Sequence, residues 1–245
     1  RFGRNVTGDL YLPADIEPST RLPVAIWLHA YGSANGYWCP YRGGLHPILA
    51  LVQAGYAVFA FDQTGFGRRI LETQHFSERY PAWSAMGRMV DDTRAAVEWL
   101  ATHPRVDAKR TYLFGYSLGG TLALYTAALE PRVAGVISIC GFTPMRTPGG
   151  LAPWAMERGL LPRLGLFAGK EAELPYDFKD LLTMISPRPA LIVQPQLDRD
   201  ADTAAVRAAV QGVPGVSLHE PWDYNRLPDK LQNWIINRWM VEHLR

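Results

Sequence analysis

The chain predicts an α/β fold, with an open, mostly parallel twisted sheet and helices on both of its faces. Two observations carry this expectation. Short unbroken apolar runs, rich in β-branched and aromatic residues, alternate along the chain with amphipathic helical patterns. Glycine and proline breaks punctuate the change from one to the other. With 245 residues, 48% of them hydrophobic and 20% charged, the chain can bury a sizeable core without disulfide or metal staples. That apolar content and a formal net charge of +2 exclude a disordered polypeptide.

Taken in order, the first run is Val24–Leu28, which breaks at the turn His29-Ala30-Tyr31-Gly32. A helical pattern follows at Pro47–Ala54, stopped by Gly55, the residue type that best tolerates the left-handed backbone past a helix end. Tyr56–Phe61 is the next run. Its lack of alternation marks a strand buried on both faces. Met86, Val90, Thr93, Val97 and Leu100 recur at spacings of four and three, giving a helix with one apolar face. Thr111–Gly115 reads as a strand and Leu118–Leu129 as a helix, and Val133–Ile139 and Ala190–Val193 repeat the strand pattern. Asp202–Val210 is helical and Val216–Glu220 is a last strand. Pro228–Leu244 is a last helix, with Pro228 in its first turn and Leu231, Ile235 and Trp239 along one side. Six strand–helix units in series predict right-handed crossovers. One domain over residues 1–245 is expected, with insertions at about 63–85 and 141–189. The second insertion is rich in proline and glycine and lid-like.

Several function classes are excluded by composition. No apolar run approaches the ~18–20 residues of a membrane helix, so no membrane partner is expected. The 25 basic and 23 acidic residues nearly cancel without forming a Lys/Arg block, so no nucleic-acid partner is expected either. Eight Trp, eleven Tyr and nine Phe suit an apolar pocket for a small organic molecule. No histidine spacing resembles H-E-x-x-H; neither a metal nor a cofactor is expected. Cys39 and Cys140 show no secreted-scaffold pattern, and whether they pair is open. The chain opens on Arg1 rather than Met, as expected of a trimmed sequence, and sets neither compartment nor oligomeric state.

The chemistry concentrates at Gly115-Tyr116-Ser117-Leu118-Gly119, followed by Gly120. A G-x-S-x-G match alone is weak. Its place between the strand Thr111–Phe114 and the helix Leu118–Leu129 is where a nucleophile elbow has to be. Such a turn is too tight for side chains beside the serine, and the helix starting at the serine favours negative charge near it.

The strand order, these glycines, the His29–Gly32 turn and a late Asp together resemble the α/β-hydrolase superfamily. Within it the chain is most similar to the dienelactone hydrolase and acetyl xylan esterase-like branch, over roughly residues 6–244. The resemblance implies Ser117 as nucleophile, with an oxyanion hole from the backbone amides of Leu118 and Tyr31. It implies an acid after the penultimate strand, for which Asp198 is the choice and Asp200 and Asp202 are alternatives in the same loop. It also implies a histidine in Pro221–Pro228, where there is none: Asn225 stands in that place, and an amide is no base at neutral pH. His219 and His75 are the candidate substitutes. His29 is expected to shape the oxyanion turn, and His46, His103 and His243 to be structural or exposed.

For substrate recognition, Arg68 and Arg69, with Arg88 downstream, are candidates for binding an acidic group. Trp154, with Trp38 and Trp83, is a candidate pocket wall. The expected function is a serine hydrolase acting on a small-molecule ester or acylated carbohydrate. The alternatives are an impaired hydrolase-fold protein that binds a ligand, and a non-hydrolytic reaction on the same scaffold.

Overall fold

The structure is a computed structural model and describes residues 1–38, 44–157 and 159–244; Cys39 lies outside the described residues. Its centre is a seven-stranded sheet of β1 (Gly8–Tyr11), β2 (Leu22–Leu28), β3 (Ala57–Phe61), β4 (Val106–Tyr116), β5 (Gly135–Ile139), β6 (Ala190–Val193) and β7 (Val216–His219). The order across the sheet is β1-β3-β2-β4-β5-β6-β7. All neighbours are parallel except β1, which pairs antiparallel with β3. The six parallel strands are those the apolar runs predict. β1 was not expected: Gly-Asp-Leu-Tyr is a four-residue, half-exposed edge strand, too short and too polar to stand out.

The unbroken apolar runs have a direct structural meaning, because each strand divides its side chains between two cores. On β2, Val24, Ile26 and Leu28 join one core and Ala25 and Trp27 the other. On β3, Phe59 and Phe61 oppose Val58 and Ala60 in the same way. The first core is closed by α3 (Ala85–Ala101), α4 (Leu118–Leu129), α5 (Phe178–Ile185) and α6 (Thr203–Val210). The second is closed by α1 (Pro47–Gln53) and α7 (Asp229–Trp234), which runs on through a π-turn at Ile235–Trp239 into α8 (Met240–His243). A one-turn helix, α2 (Phe76–Arg79), lies in the first insertion.

Helix boundaries follow the local chemistry. Ser84 caps α3 by accepting from the Gly87 N–H at 2.9 Å, and the predicted face of Met86, Val90, Thr93, Val97 and Leu100 is buried. Gly55, just past α1, has φ +91°. Pro228 serves as N-cap of α7 rather than lying in its first turn. α5 lies within a stretch expected to be irregular. Its signal is a capping box in which Asp177 and Asp180 satisfy each other's backbone N–H groups, ahead of buried Phe178, Leu181, Leu182 and Ile185.

Chain direction across the sheet reverses at β2 and β4. From β2 the chain runs outward to β3, returns to β4, and then steps outward through β5, β6 and β7. Open α/β sheets bind ligands outside the C-terminal strand ends at such a switch point. Here that location holds the turn after β2 and the turn after β4.

The two turns are held together by glycine. A Cβ on Gly119 would overlap the carbonyl of Leu28 and meet that of His29 at 2.8 Å, and a Cβ on Gly115 would overlap the backbone of Gly119. By contrast, a Cβ on Gly165 meets nothing nearer than Ala155 at 3.8 Å. Replacing Gly119 with Ala is therefore expected to cost about 3 kcal/mol or more, because backbone rather than a flexible side chain has to move. Gly165→Ala is expected to stay within about 1 kcal/mol of the parent. Urea unfolding of both variants measures the difference, and equal midpoints would contradict the close approach.

Candidate functional site

Ser117 joins β4 to α4 with φ +53° and ψ −118°, a strained conformation for a residue with a Cβ. Such strain costs about 1–3 kcal/mol and persists only when the surroundings over-determine it. The surroundings here are specific. The Ser117 N–H donates to the Ile139 carbonyl at 2.8 Å, tying the turn to the end of β5. Thr121, one turn into α4, donates its hydroxyl to the Gly141 carbonyl. Gly120 and Gly141 lie close together, since a Cβ on Gly120 would meet the Gly141 Cα at 3.0 Å.

The serine lies on the wall of a cavity of about 230 Å³. Leu118, Thr121, Phe142, Trp154, Asp198, Asp200 and Asn225 share that wall. Leu118 opens α4, and N–H groups in the first turn of a helix have no intrahelical acceptor, so this end can meet an anion. Among the described residues the Ser117 hydroxyl has no hydrogen-bond partner, and no histidine lines the cavity.

The loops after β6 and β7 are zipped together over the sheet edge. Gln196 and Leu197 donate their N–H groups to the Pro221 and Asp223 carbonyls, each at 3.0 Å. Tyr116, just before Ser117, donates its hydroxyl to the Asn225 carbonyl at 2.7 Å, which fixes the backbone of the position expected to hold histidine. The Asn225 side chain then donates Nδ2–H to Asp200 Oδ2 at 2.6 Å. A carboxylate only accepts, so the nitrogen of the amide has to face it.

Three residues from the acid loop now separate in role. Asp202 caps α6 through the Ala205 N–H at 2.9 Å. Asp198 accepts from Gln194 Nε2 at 3.0 Å and from the Asp200 N–H at 2.9 Å. The carboxylate that reaches position 225 is Asp200, so the expectation that Asp198 meets that position is corrected in favour of its alternative. The Asn225 Nδ2 atom, bonded to Cγ, occupies the chemical place of a histidine Nδ1.

His219 is a second correction. It ends β7 with its ring stacked on Trp234, centroids 3.9 Å apart, and it does not line the Ser117 cavity. Burial lowers its pKa. His75 is exposed, pairs with Glu78 at 3.0 Å and lines a different pocket, of about 650 Å³, together with Tyr31. His46 caps α1, His103 accepts from the Arg105 N–H, and the His243 ring stacks on Trp239.

The arginines are a third correction. Arg69 is buried and bonded to Asp92 at 2.8 Å, to Glu72 at 2.7 Å and to the Asp62 carbonyl at 3.0 Å, while Arg88 meets Asp92 at 3.2 Å. Arg68 pairs with Asp9 at 3.2 Å and lies 3.7 Å from Asp62. These guanidiniums brace the first insertion and do not line the Ser117 cavity. Trp154 does line it, and is 6% exposed. Tyr31 follows the β2 strand end that abuts Gly119, but its ring packs on Phe66 and it is not among the residues lining the cavity.

Cys140 also lines the cavity, as a free thiol at φ +50°. Burial pushes its pKa well up, and the carboxylates of Asp198, Asp200 and Asp223 push it further. Neither Cys140 nor Thr121 was singled out from sequence. The one available signal was position, since both lie within a few residues of a strand end on the ligand-binding edge.

An alpha/beta hydrolase family model matches residues 25–241. The chain belongs to the α/β hydrolase family. Among curated relatives of this family, the hydrolase LUC6 of a Fusarium species is 33% identical over 142 residues, covering 57% of this chain and 31% of LUC6. The chain spans about a third of the length of the first curated relatives it matches. A glucuronoyl esterase from Solibacter usitatus superposes with a TM-score of 0.70 at 16% identity, covering 93% of this chain and 75% of that one. Acetyl xylan esterase 1 from Thermoanaerobacterium sp. superposes at 0.67 with 21% identity, over 98% and 80% of the two chains. At these identities the likeness is one of fold, and it agrees with the branch to which the sequence is similar. Among the described residues, no helix of this α/β hydrolase is long and apolar enough to cross a membrane.

His29, at the end of β2 in this family member, is held on both sides of its ring. It is fully buried, its Nδ1 lies 2.6 Å from the Ala30 carbonyl, and its Nε2 accepts from the Gln63 N–H at 3.2 Å. Burial holds its pKa down to about 4, from an ordinary 6.5. The unfolded chain takes up that proton below about pH 6.5 and the folded chain only below about 4, so the contribution to stability is full above that window and is lost on descending through it. Over the window the loss is about 3 kcal/mol. His46, also held down to about 4, falls in the same range. In urea unfolding, the stability lost between about pH 7 and pH 4 is expected to shrink by that amount in His29→Gln. An unchanged loss would contradict a buried, neutral His29.

Proposed function

We propose that this chain is a carboxylic-ester hydrolase that cleaves a small ester or acylated carbohydrate through an acyl-enzyme on Ser117. The observation that carries the reading is the strained elbow itself: Ser117 is held at φ +53° on the wall of a cavity at the switch-point edge of the sheet. Strain of this kind is retained where it serves chemistry. The esterase neighbours support the same class.

In this reading Ser117 Oγ attacks the acyl carbon, and the N–H groups of Leu118 and Tyr31 hold the tetrahedral oxyanion. The bond to the leaving alcohol then breaks, and water releases the acid from the serine. Asp200 and Asn225 form the support on which a base would stand. With an amide at 225, the serine proton passes to water or to a cavity carboxylate, both weaker bases than imidazole. Turnover therefore favours esters with good leaving groups. Serine hydrolases lacking one member of the triad retain about 10³–10⁴-fold acceleration over water.

A second reading, a family member that binds a ligand without turning it over, is favoured by one observation. The Asn225 amide satisfies Asp200 at 2.6 Å while no imidazole lines the cavity. Hydrolysis of p-nitrophenyl acetate by the wild type and by Ser117→Ala separates the two. The wild type is expected to exceed the variant by at least about tenfold, with acetyl-serine visible by intact mass. Asn225→His is expected to raise kcat/KM by about two orders of magnitude or more, since Asp200 is already placed for an imidazole Nδ1–H. Equal rates for wild type and Ser117→Ala, with no gain in Asn225→His, would leave the binding reading standing.

A further inference from the structure

We infer that the Ser117 cavity selects esters whose alcohol portion carries a positive charge, such as an amino-alcohol or quaternary-ammonium ester. This rests on the ester-hydrolase reading of the same cavity and names its substrate class.

The charge balance of the cavity is the starting point. Asp198 and Asp200 line it, and among the described residues no Lys, Arg or His does. The hydrogen-bond partners of the two carboxylates are neutral: the Gln194 amide and a backbone N–H for Asp198, the Asn225 amide for Asp200. Elsewhere, buried Asp92 is matched by Arg69 and Arg88, Glu130 by Arg132 and Arg94, and Asp62 by Arg68, while buried Asp177 is met by backbone N–H groups; Asp198 is half-buried and Asp200 exposed. Cations in the surrounding loops are engaged elsewhere. Arg226 is on Asp223, Arg207 is on Glu220, and Arg199 lies over the Tyr224 ring. In a complete triad the imidazolium formed during the reaction offsets the acid. With Asn225 in its place, that offset has to come from the ligand.

A second observation lies beside Asp198. Gln194 is 1% exposed and gives its Nε2–H to that carboxylate, while its Oε1 is buried without a partner among the described residues. Gln194 is not among the residues lining the cavity; its amide gives Asp198 a hydrogen bond and adds no positive charge. The other requirement, an apolar and polarisable wall for an alkylated ammonium, is met by Trp154, Phe142 and Tyr116. Low-dielectric walls around carboxylates of one sign focus the field on whatever enters.

Geometry says which part of the ester carries the charge. The leaving alcohol departs on the side of the base position, because the base returns its proton there. Position 225 and Asp200 are on that side. In the same reading the carbonyl oxygen of the ester faces the oxyanion turn instead.

The test compares two acetate esters, that of choline and that of its uncharged isostere in which carbon replaces the quaternary nitrogen. Each is hydrolysed by the wild type, by Asp198→Asn and, as background, by Ser117→Ala, while choline binding to the wild type and to Asp198→Asn is followed by calorimetry. The expected result is a kcat/KM about tenfold or more higher for the choline ester at low ionic strength, declining with added salt. In Asp198→Asn that ratio is expected to fall by about threefold or more, a readout independent of any general loss of rate. A ratio near one, with Ser117-dependent hydrolysis of both esters, overturns the charge selection and leaves the hydrolase reading intact. If neither ester is hydrolysed but choline binds in a manner weakened by Asp198→Asn, the cation site stands and the hydrolase reading falls. If neither ester is hydrolysed and choline does not bind, both fall.

Discussion

The contact between Gly119 and the Leu28 carbonyl is the point from which the rest of the molecule is arranged. It brings the first turn of α4 hard against the end of β2, so the two central parallel strands deliver their C-terminal turns to one place. Neither turn can move without the other. The strain at Ser117 is tolerable for the same reason: the Ile139 carbonyl, the Thr121–Gly141 bond and the two buried cores leave the backbone no relaxed alternative.

Around this rigid centre, electrostatics is handled in two contrasting ways. Where α3 meets the segment after β3, Asp92 is buried between Arg69 and Arg88, and Glu72 closes on Arg69 from outside. Removing one partner from such a network typically costs 3–5 kcal/mol, because a buried charge is left alone. The network explains how a segment with little regular structure keeps its shape. In the Ser117 cavity the opposite holds, and carboxylates are left with neutral partners. A protein that pairs its charges in one place and leaves them open in another, within the same fold, separates support from recognition.

Much of the scaffold was legible from residue order. β2, β3, β5 and β6 appear as unbroken apolar runs because both of their faces are buried, β7 is a half-buried edge strand, and α3 shows itself by spacing because only one of its faces is buried. β1 escaped notice because an edge strand needs neither an apolar run nor length. α5 escaped because its eight residues sit among prolines, and its capping box was the one local sign of it. The site was legible in outline and not in detail. Ser117 and the acid loop are local features with motif-like spacing. The assignment of Asp200 rather than Asp198 to Asn225 depends on how two loops close on each other, through bonds between residues far apart in sequence. The arginines at 68 and 69 looked available because their partners, Asp9 and Asp92, lie more than twenty residues away.

The bond from the Tyr116 hydroxyl to the Asn225 main-chain carbonyl has a consequence for how this protein can change over generations. Because the tie is made to the backbone, it is indifferent to the side chain that position 225 carries, whereas the Asp200 carboxylate bonds to that side chain itself. Asparagine and histidine codons differ by a single nucleotide. The scaffold therefore holds two side-chain chemistries at this position one point mutation apart, with the backbone tie common to both.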